Sequence, residues 1–152
     1  MKIENAIKQK VFKSESEKLV INLAYTAGWL AGEQHRFFKL YGLSVQQYNV
    51  LRILRGQKGN PVSLGLIQER MLDKMSNASR LVEKLKLKKL IDRRVCKSDR
   101  RQVEVVITEL GLTLLTQIDE ARIQMEHITS NLNENEKQIF NQLLDKLREN
   151  KE

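Results

Sequence analysis

The sequence predicts a mainly α-helical fold with a small β-hairpin, and three observations carry that prediction. Apolar residues recur at i, i+3, i+4 and i+7 over most of the chain, the period of helices with one buried face. One short stretch, VEVVI at 103–107, is instead β-branched and compact, as a strand requires. With one proline and seven glycines, the 152-residue chain has few breakers and no room for a loop-rich fold.

The first long helix is expected at 16–40, with Leu19, Leu23, Ala27, Leu30, Ala31, Phe37 and Phe38 on its apolar face. Gly42 ends it as a left-handed residue after the helix. Ser44 opens a second helix through an S-x-x-Q capping box with Gln47, and Tyr48, Leu51 and Leu54 give its buried stripe. GQKGNP at 56–61 is the clearest loop. Ser63 caps a third helix at 64–71, with Leu64, Ile67 and Met71 inward. A tight turn at 72–75 leads to a fourth helix at 76–88, whose stripe is Ala78, Leu81, Val82 and Leu85. Two helices joined by such a turn, the second opening on polar residues, describe a helix-turn-helix.

Strands at 90–96 and 102–108 follow, with 97–101 as the hairpin tip, so the helix-turn-helix carries a wing. A long helix at 110–130 presents Leu114, Leu115, Ile118, Ala121, Met125 and Ile128 on one side. Asn133 and Glu136 form an N-x-x-E start for a last helix with Ile139, Leu143, Leu144 and Leu147 on its buried face. A compact winged helix does not need the first and last helices. Their apolar stripes need a partner, and a second copy of the chain is the simplest one. The expected organisation is an N-terminal dimerisation segment at 1–42, a winged helix-turn-helix at 43–109, and C-terminal dimerisation helices at 110–152.

Charge separates these parts. Residues 73–101 hold eleven basic and four acidic side chains, a net of +7 against +8 for the whole chain. Residues 117–152 carry −3. Basic charge on a helix-plus-hairpin unit points to a polyanion, most plausibly double-stranded DNA, with oligomerisation at the other end. No apolar run approaches the roughly 20 residues of a membrane span, and MKIENAIKQKVFKSESEK lacks the features of a signal peptide. The single cysteine, Cys96, excludes an internal disulfide framework. Together these suggest a cytoplasmic protein with no membrane partner. No glycine-rich phosphate loop, G-x-S-x-G, H-E-x-x-H or Cys/His cluster is present, so neither catalytic residues, a cofactor nor a metal is expected.

Ser76, Asn77, Ser79 and Arg80 open the expected recognition helix. Short polar side chains let a helix N-terminus approach the major groove closely, and its N–H groups and dipole favour phosphate. Arg80 offers paired donors to a guanine edge, the commonest specific contact. Lys84, one turn on, reaches phosphate more readily than a base, and Lys74 and Lys97 are further phosphate candidates. The structural alternative is that Ser76 is only a cap and Ser79 and Arg80 a solvated face. At the wing tip, Arg100 and Arg101 suit a narrow minor groove, and Asp99 would order the tip by pairing with an arginine. Trp29, His35, Phe38, Tyr41 and Tyr48 are candidates for a ligand crevice, with ordinary core packing as the alternative. Cys96, beside the basic tip, is either a reactive thiol or an inert one.

LSVQQYNVLRIL (43–54), MSNASRLVEKL (75–85), LIDRR (90–94), SDRRQVEVVIT (98–108) and ELGLTLL (109–115) closely resemble the MarR family of bacterial transcription regulators. The resemblance runs over about 23–147. Its most specific part is Asp-x-Arg at Asp99 and Arg101, just before the T-x-x-G of Thr108 and Gly111. It implies a homodimer with interdigitated terminal helices, a winged helix on each subunit and a pseudo-palindromic operator. It further implies Arg101 as the groove-inserting residue and, in many members, control by a small aromatic ligand held between the dimerisation and DNA-binding regions. The implied function is a dimeric, sequence-specific regulator, most often a repressor; the alternative is a non-specific architectural DNA-binding protein. Two departures stand out. Lys89 occupies a position where the family usually has glycine, so either lysine adopts the turn conformation or the helix ends differently. The N-terminal cysteine of the peroxide-sensing branch is absent, as are the ligands of the zinc-binding branch.

Overall fold

A computed structural model describes residues 1–95, 103–121 and 126–149, apart from the Val95 side chain. Its described elements are α1 (Ile3–Ala6), α2 (Glu15–Lys39), α3 (Val45–Arg55), β1 (Val62–Ser63), α4 (Leu64–Arg70), α5 (Ala78–Leu87), β2 (Ile91–Val95), β3 (Val103–Ile107) and α6 (Glu109–Ala121). A 3-10 turn at His127–Thr129 and a final helix, α7 (Glu134–Arg148), complete the order. The chain divides into two compact units, Met1–Leu114 and Leu115–Glu152. The fold is mainly α with a winged helix-turn-helix, as the sequence predicts.

Within the first unit, the helices start where the sequence places their caps. Ser14 accepts from the Glu17 N–H at the head of α2, and Ser63 accepts from the Leu66 N–H at the head of α4. At α3 the capping box is complete: Ser44 Oγ accepts from the Gln47 N–H and Gln47 Oε1 from the Ser44 N–H, both at 3.1 Å. The core between these helices and the sheet contains Leu51, Leu54, Ile67, Met71, Val82, Leu85, Ile91 and Val105, all fully buried.

Two helix ends share one device. After α2, the Leu43 N–H bonds the Phe38 carbonyl and the Gly42 N–H bonds the Lys39 carbonyl, with Gly42 at φ 66. After α5, the Leu90 N–H bonds the Leu85 carbonyl and the Lys89 N–H bonds the Lys86 carbonyl, with Lys89 at φ 58. Both are Schellman caps. Lysine therefore takes the left-handed conformation itself, and the chain leaves α5 as it would through glycine. A Cβ at that φ costs on the order of 1–2 kcal/mol, partly offset because glycine loses more entropy on folding. Lys89→Gly is expected to raise stability by about 0.5–1 kcal/mol. Thermal unfolding checks it, and an unchanged or lower midpoint contradicts it.

The sheet corrects the sequence reading. It has three antiparallel strands in the order β1-β3-β2, because Val62 pairs with Val105 and Ser63 with Glu104 along the outer edge of the hairpin. A two-residue strand gives no periodicity to read. In the hairpin itself Ile91 faces Ile107, Arg93 faces Val105 and Arg94 faces Glu104. The alternation buries Ile91, Val105 and Ile107 and leaves Asp92 and Arg94 in solvent.

Thr108 and Gly111 join the wing to α6. Thr108 Oγ1 donates to the Lys89 carbonyl at 2.9 Å and accepts from the Gly111 N–H at 3.1 Å, while the Thr108 N–H bonds the Leu90 carbonyl. A Cβ on Gly111 would overlap the Leu90 carbonyl oxygen and stand 2.7 Å from Ile107 Cγ1. Glycine is thus required by close approach, since the backbone oxygen cannot rotate aside. Gly111→Ala is expected to cost about 1–3 kcal/mol, read as a lower denaturation midpoint; a variant of native stability would refute the contact.

The second unit begins within α6, whose Leu115 and Ile118 are fully buried. The expected continuous helix at 110–130 is described as α6 to Ala121 and then the 3-10 turn at His127–Thr129; Met125 lies outside the described residues. The Asn133–Glu136 capping box at α7 forms as expected. Its apolar stripe is not buried as expected. Ile139, Phe140, Leu143 and Leu147 are 47, 48, 58 and 52% exposed, and no residue of α7 is buried. Along α2, Leu19, Val20, Tyr25 and Trp29 are likewise exposed. The short α1 was not anticipated; its Ile3 is buried, and Glu4 accepts an ion pair from Lys18 of α2 at 2.7 Å. Among the described residues, no helix is long and apolar enough to cross a membrane.

Candidate nucleic-acid interface

α4, the turn at 71–77 and α5 form the helix-turn-helix. α5 buries Ala78, Val82 and Leu85 and leaves Ser79, Arg80, Glu83 and Lys84 exposed on its other sides. The helix has one face for the core and another for a ligand, and the exposed face is rich in side chains that read DNA.

α5 starts two residues later than the sequence reading places it, at Ala78. Asn77 is the N-cap, its Oδ1 accepting from the Arg80 N–H at 3.0 Å. Ser76 lies in the turn, where its hydroxyl donates to Asp73 Oδ2 at 2.8 Å. Asn77 is the last non-helical residue and caps the N3 amide, while the Ser76 hydroxyl is engaged by Asp73. The expected open N–H groups are also partly used: the Ala78 N–H donates to Gln68 Oε1 at 3.0 Å. Those two amides are therefore already engaged within the protein.

The turn is pinned from several sides. The Leu72 N–H donates to Asn49 Oδ1 at 2.9 Å, the Met75 N–H to Asp73 Oδ1 at 3.0 Å, and Gln68 Nε2 to the Lys74 carbonyl at 3.3 Å. The Ser76 hydroxyl, followed by the Met75 N–H, holds the Asp73 carboxyl below its ordinary value. Asp73 is therefore ionised at neutral pH and faces its own turn. Lys74 Nζ donates to the Glu69 carbonyl, so its cation is held beside α4.

Two further contacts orient α5. Arg93 of β2 pairs with Glu83, joining wing and recognition helix. Lys88 Nζ donates to the Gly42 carbonyl and, at 3.0 Å, to Gln47 Oε1, which ties the end of α5 to the α2–α3 junction. Gln47 is buried, and its oxygen serves both the cap and this tether. Asn49, Gln68, Asp73 and Lys88 went unsingled in the sequence as positioning residues. The local D-x-x-S of Asp73 and Ser76 is a readable turn signal; contacts across 10 to 46 residues leave no such trace.

Cys96, Lys97, Asp99, Arg100 and Arg101 lie outside the described residues. Of the crevice candidates, Phe38 and Tyr48 are buried and stacked, with centroids 4.1 Å apart. Tyr41 is half-buried, 5.5 Å from Phe37. Trp29 and His35 are exposed on α2. Among the described residues, no group of three or more His, Cys, Asp or Glu side chains could hold a metal ion.

A helix-turn-helix whose second helix exposes a basic, polar face, followed by an antiparallel hairpin, defines a winged helix of the DNA-binding type. The MarR family model matches residues 41–102. Solved structures carry the same fold over the chain. BpsR of Bordetella bronchiseptica, whose DNA binding is regulated by 6-hydroxynicotinic acid, is 22% identical. It covers 93% of this chain and 100% of its own, with a TM-score of 0.78. A MarR transcription factor from Planctomyces limnophilus is 28% identical, covering 89% and 98%, with a TM-score of 0.69. The organohalide-sensing regulator RdhR-CbdbA1625, solved with 2,4-dichlorophenol, is 18% identical, covering 92% and 85%, with a TM-score of 0.78. No curated protein matches the sequence. The segment that holds the helix-turn-helix and the wing thus resembles the MarR family of transcription regulators.

Proposed function

We propose that this protein is a dimeric, sequence-specific DNA-binding transcription regulator, acting as a repressor at a pseudo-palindromic operator and released by a small aromatic ligand. The observation that carries the reading is the two-faced α5, with Ala78, Val82 and Leu85 in the core and Ser79, Arg80 and Lys84 in solvent. In this reading residues 43–109 bind DNA, while 1–42 and 110–152 dimerise. Asn77, Ser79 and Arg80 meet base edges; Lys74, Lys84 and Lys97 meet phosphates; Ser76 acts through Asp73. Arg100 and Arg101 enter the minor groove, ordered by Asp99. The small acid that regulates DNA binding by one protein of the same fold, and the phenol bound by another, support an aromatic ligand for this one. Occupancy then follows whichever spacing of the two recognition helices the ligand prefers.

Selection of bound fragments from randomised duplex DNA at near-physiological salt tests the reading. Enrichment of an inverted repeat is the expected result. Binding without enrichment would indicate an architectural protein instead, with salt dependence but no sequence preference. Arg101→Ala is expected to weaken binding to every duplex, most at A·T-rich flanks, and to leave the dimer intact. Unchanged affinity in fluorescence anisotropy would remove the wing from the mechanism.

A further inference from the structure

The turn before α5 carries two apolar side chains that the polar reading of the interface does not use. Leu72 is 85% and Met75 93% exposed, among the most exposed large hydrophobic side chains of the described residues. Single exposed apolar residues are ordinary. Here, however, two stand in one four-residue turn whose backbone is fixed. Asn49 holds the Leu72 N–H, Asp73 holds the Met75 N–H, and Gln68 holds the Lys74 carbonyl. The turn is ordered by polar contacts while its apolar tips stay in water.

Met75 lies two residues before the Asn77 cap, at the end of the recognition helix that approaches base edges. Cations flank it in sequence at Lys74, Arg80 and Lys84, so the surface around it suits a polyanion. The major-groove edges of the bases are polar except for the 5-methyl group of thymine. An unbranched thioether chain adapts to such a group without a preformed pocket. With the backbone already fixed, contact orders little beyond the side chain.

The geometry points to Met75, in the same turn as Leu72, as a specificity determinant that reads a thymine methyl in each half-site. This rests on the DNA-binding reading above. The test replaces each thymine of the selected operator, one at a time, with deoxyuridine, which removes the methyl and keeps the pairing. At one symmetric position, wild type is expected to lose about fourfold in affinity per half-site, the worth of one buried methyl at about 0.8 kcal/mol. M75A is expected to bind the thymine operator equally weakly and to be indifferent to uracil there; M75L should keep the discrimination. So exposed a side chain can be truncated without unfolding the protein, and an unchanged melting midpoint verifies that. Wild-type binding insensitive to every uracil, or M75A discriminating as wild type does, overturns the proposal. If no duplex is bound at all, the DNA-binding reading itself fails, and the proposal with it.

Discussion

In the dimer proposed above, Leu143→Glu is expected to separate the protomers and to lower affinity for an inverted repeat by about a hundredfold or more. The first effect follows from α7. Ile139, Phe140, Leu143 and Leu147 lie along one stripe and are about half exposed, and the helix buries no residue within its own chain. Covering each such side chain contributes about 1–2 kcal/mol, and a two-fold interface counts each residue twice. A carboxylate in that stripe both removes apolar burial and places two like charges close together. The protomer itself should survive, because Leu143 contributes little to its own core. The second effect follows from valency. A dimer's second half-site binds at an effective concentration that multiplies affinity by about 10²–10⁴, whereas a monomer binds each half-site alone. Light scattering with size exclusion reads the mass, and titration against full and half operators reads the coupling. A variant that stays dimeric would place the interface elsewhere. Deleting residues 133–152 should give the same phenotype.

Arg80→Ala is the second large effect. Arg80 is exposed in the first turn of α5, and its backbone N–H is fixed by Asn77, so the side chain leaves from a rigid helix start. A paired arginine–guanine contact is worth about 1–3 kcal/mol of discrimination, or about 5- to 150-fold in affinity for the specific site. On random DNA, where Arg80 supplies at most one phosphate contact, the loss should be small and fade with salt. The melting temperature should not move. An equal loss on specific and random duplexes would reduce Arg80 to a general cation and favour the architectural alternative.

Most of the fold was legible in the sequence because its signals are local. The capping boxes of Ser44–Gln47 and Asn133–Glu136 formed as spaced, since each closes within four residues. The left-handed turn at Gly42 and the choice posed by Lys89 could be read from residue type and helix period, and Lys89 resolved toward the strained conformation. β1 could not be read, because two residues carry no period and its pairing partner is more than forty residues away. The assignment of Ser76 to α5 failed by two positions for a related reason: Ser76 and Asn77 both qualify as caps, and only the Asp73 carboxylate decided which was used. Phe38 and Tyr48 show the same limit. Their spacing could not distinguish a crevice wall from a core, and the structure shows them buried and stacked on one another.

The sequence by itself determined the order of the long helices and the hairpin strands, the basic segment at 73–101 and the resemblance of the winged helix to the MarR family. Each depends on residue type, period or short spacing, which survive without coordinates. Only the tertiary structure decided how α5 is held: by Gln68 at its start, Glu83 against Arg93 at its flank, and Lys88 across to Gly42 and Gln47 at its end. It also decided that Gly111 must lack a side chain, because the Leu90 carbonyl and Ile107 occupy that space. These contacts join residues far apart in the chain, and their energies come from positions that no local pattern records.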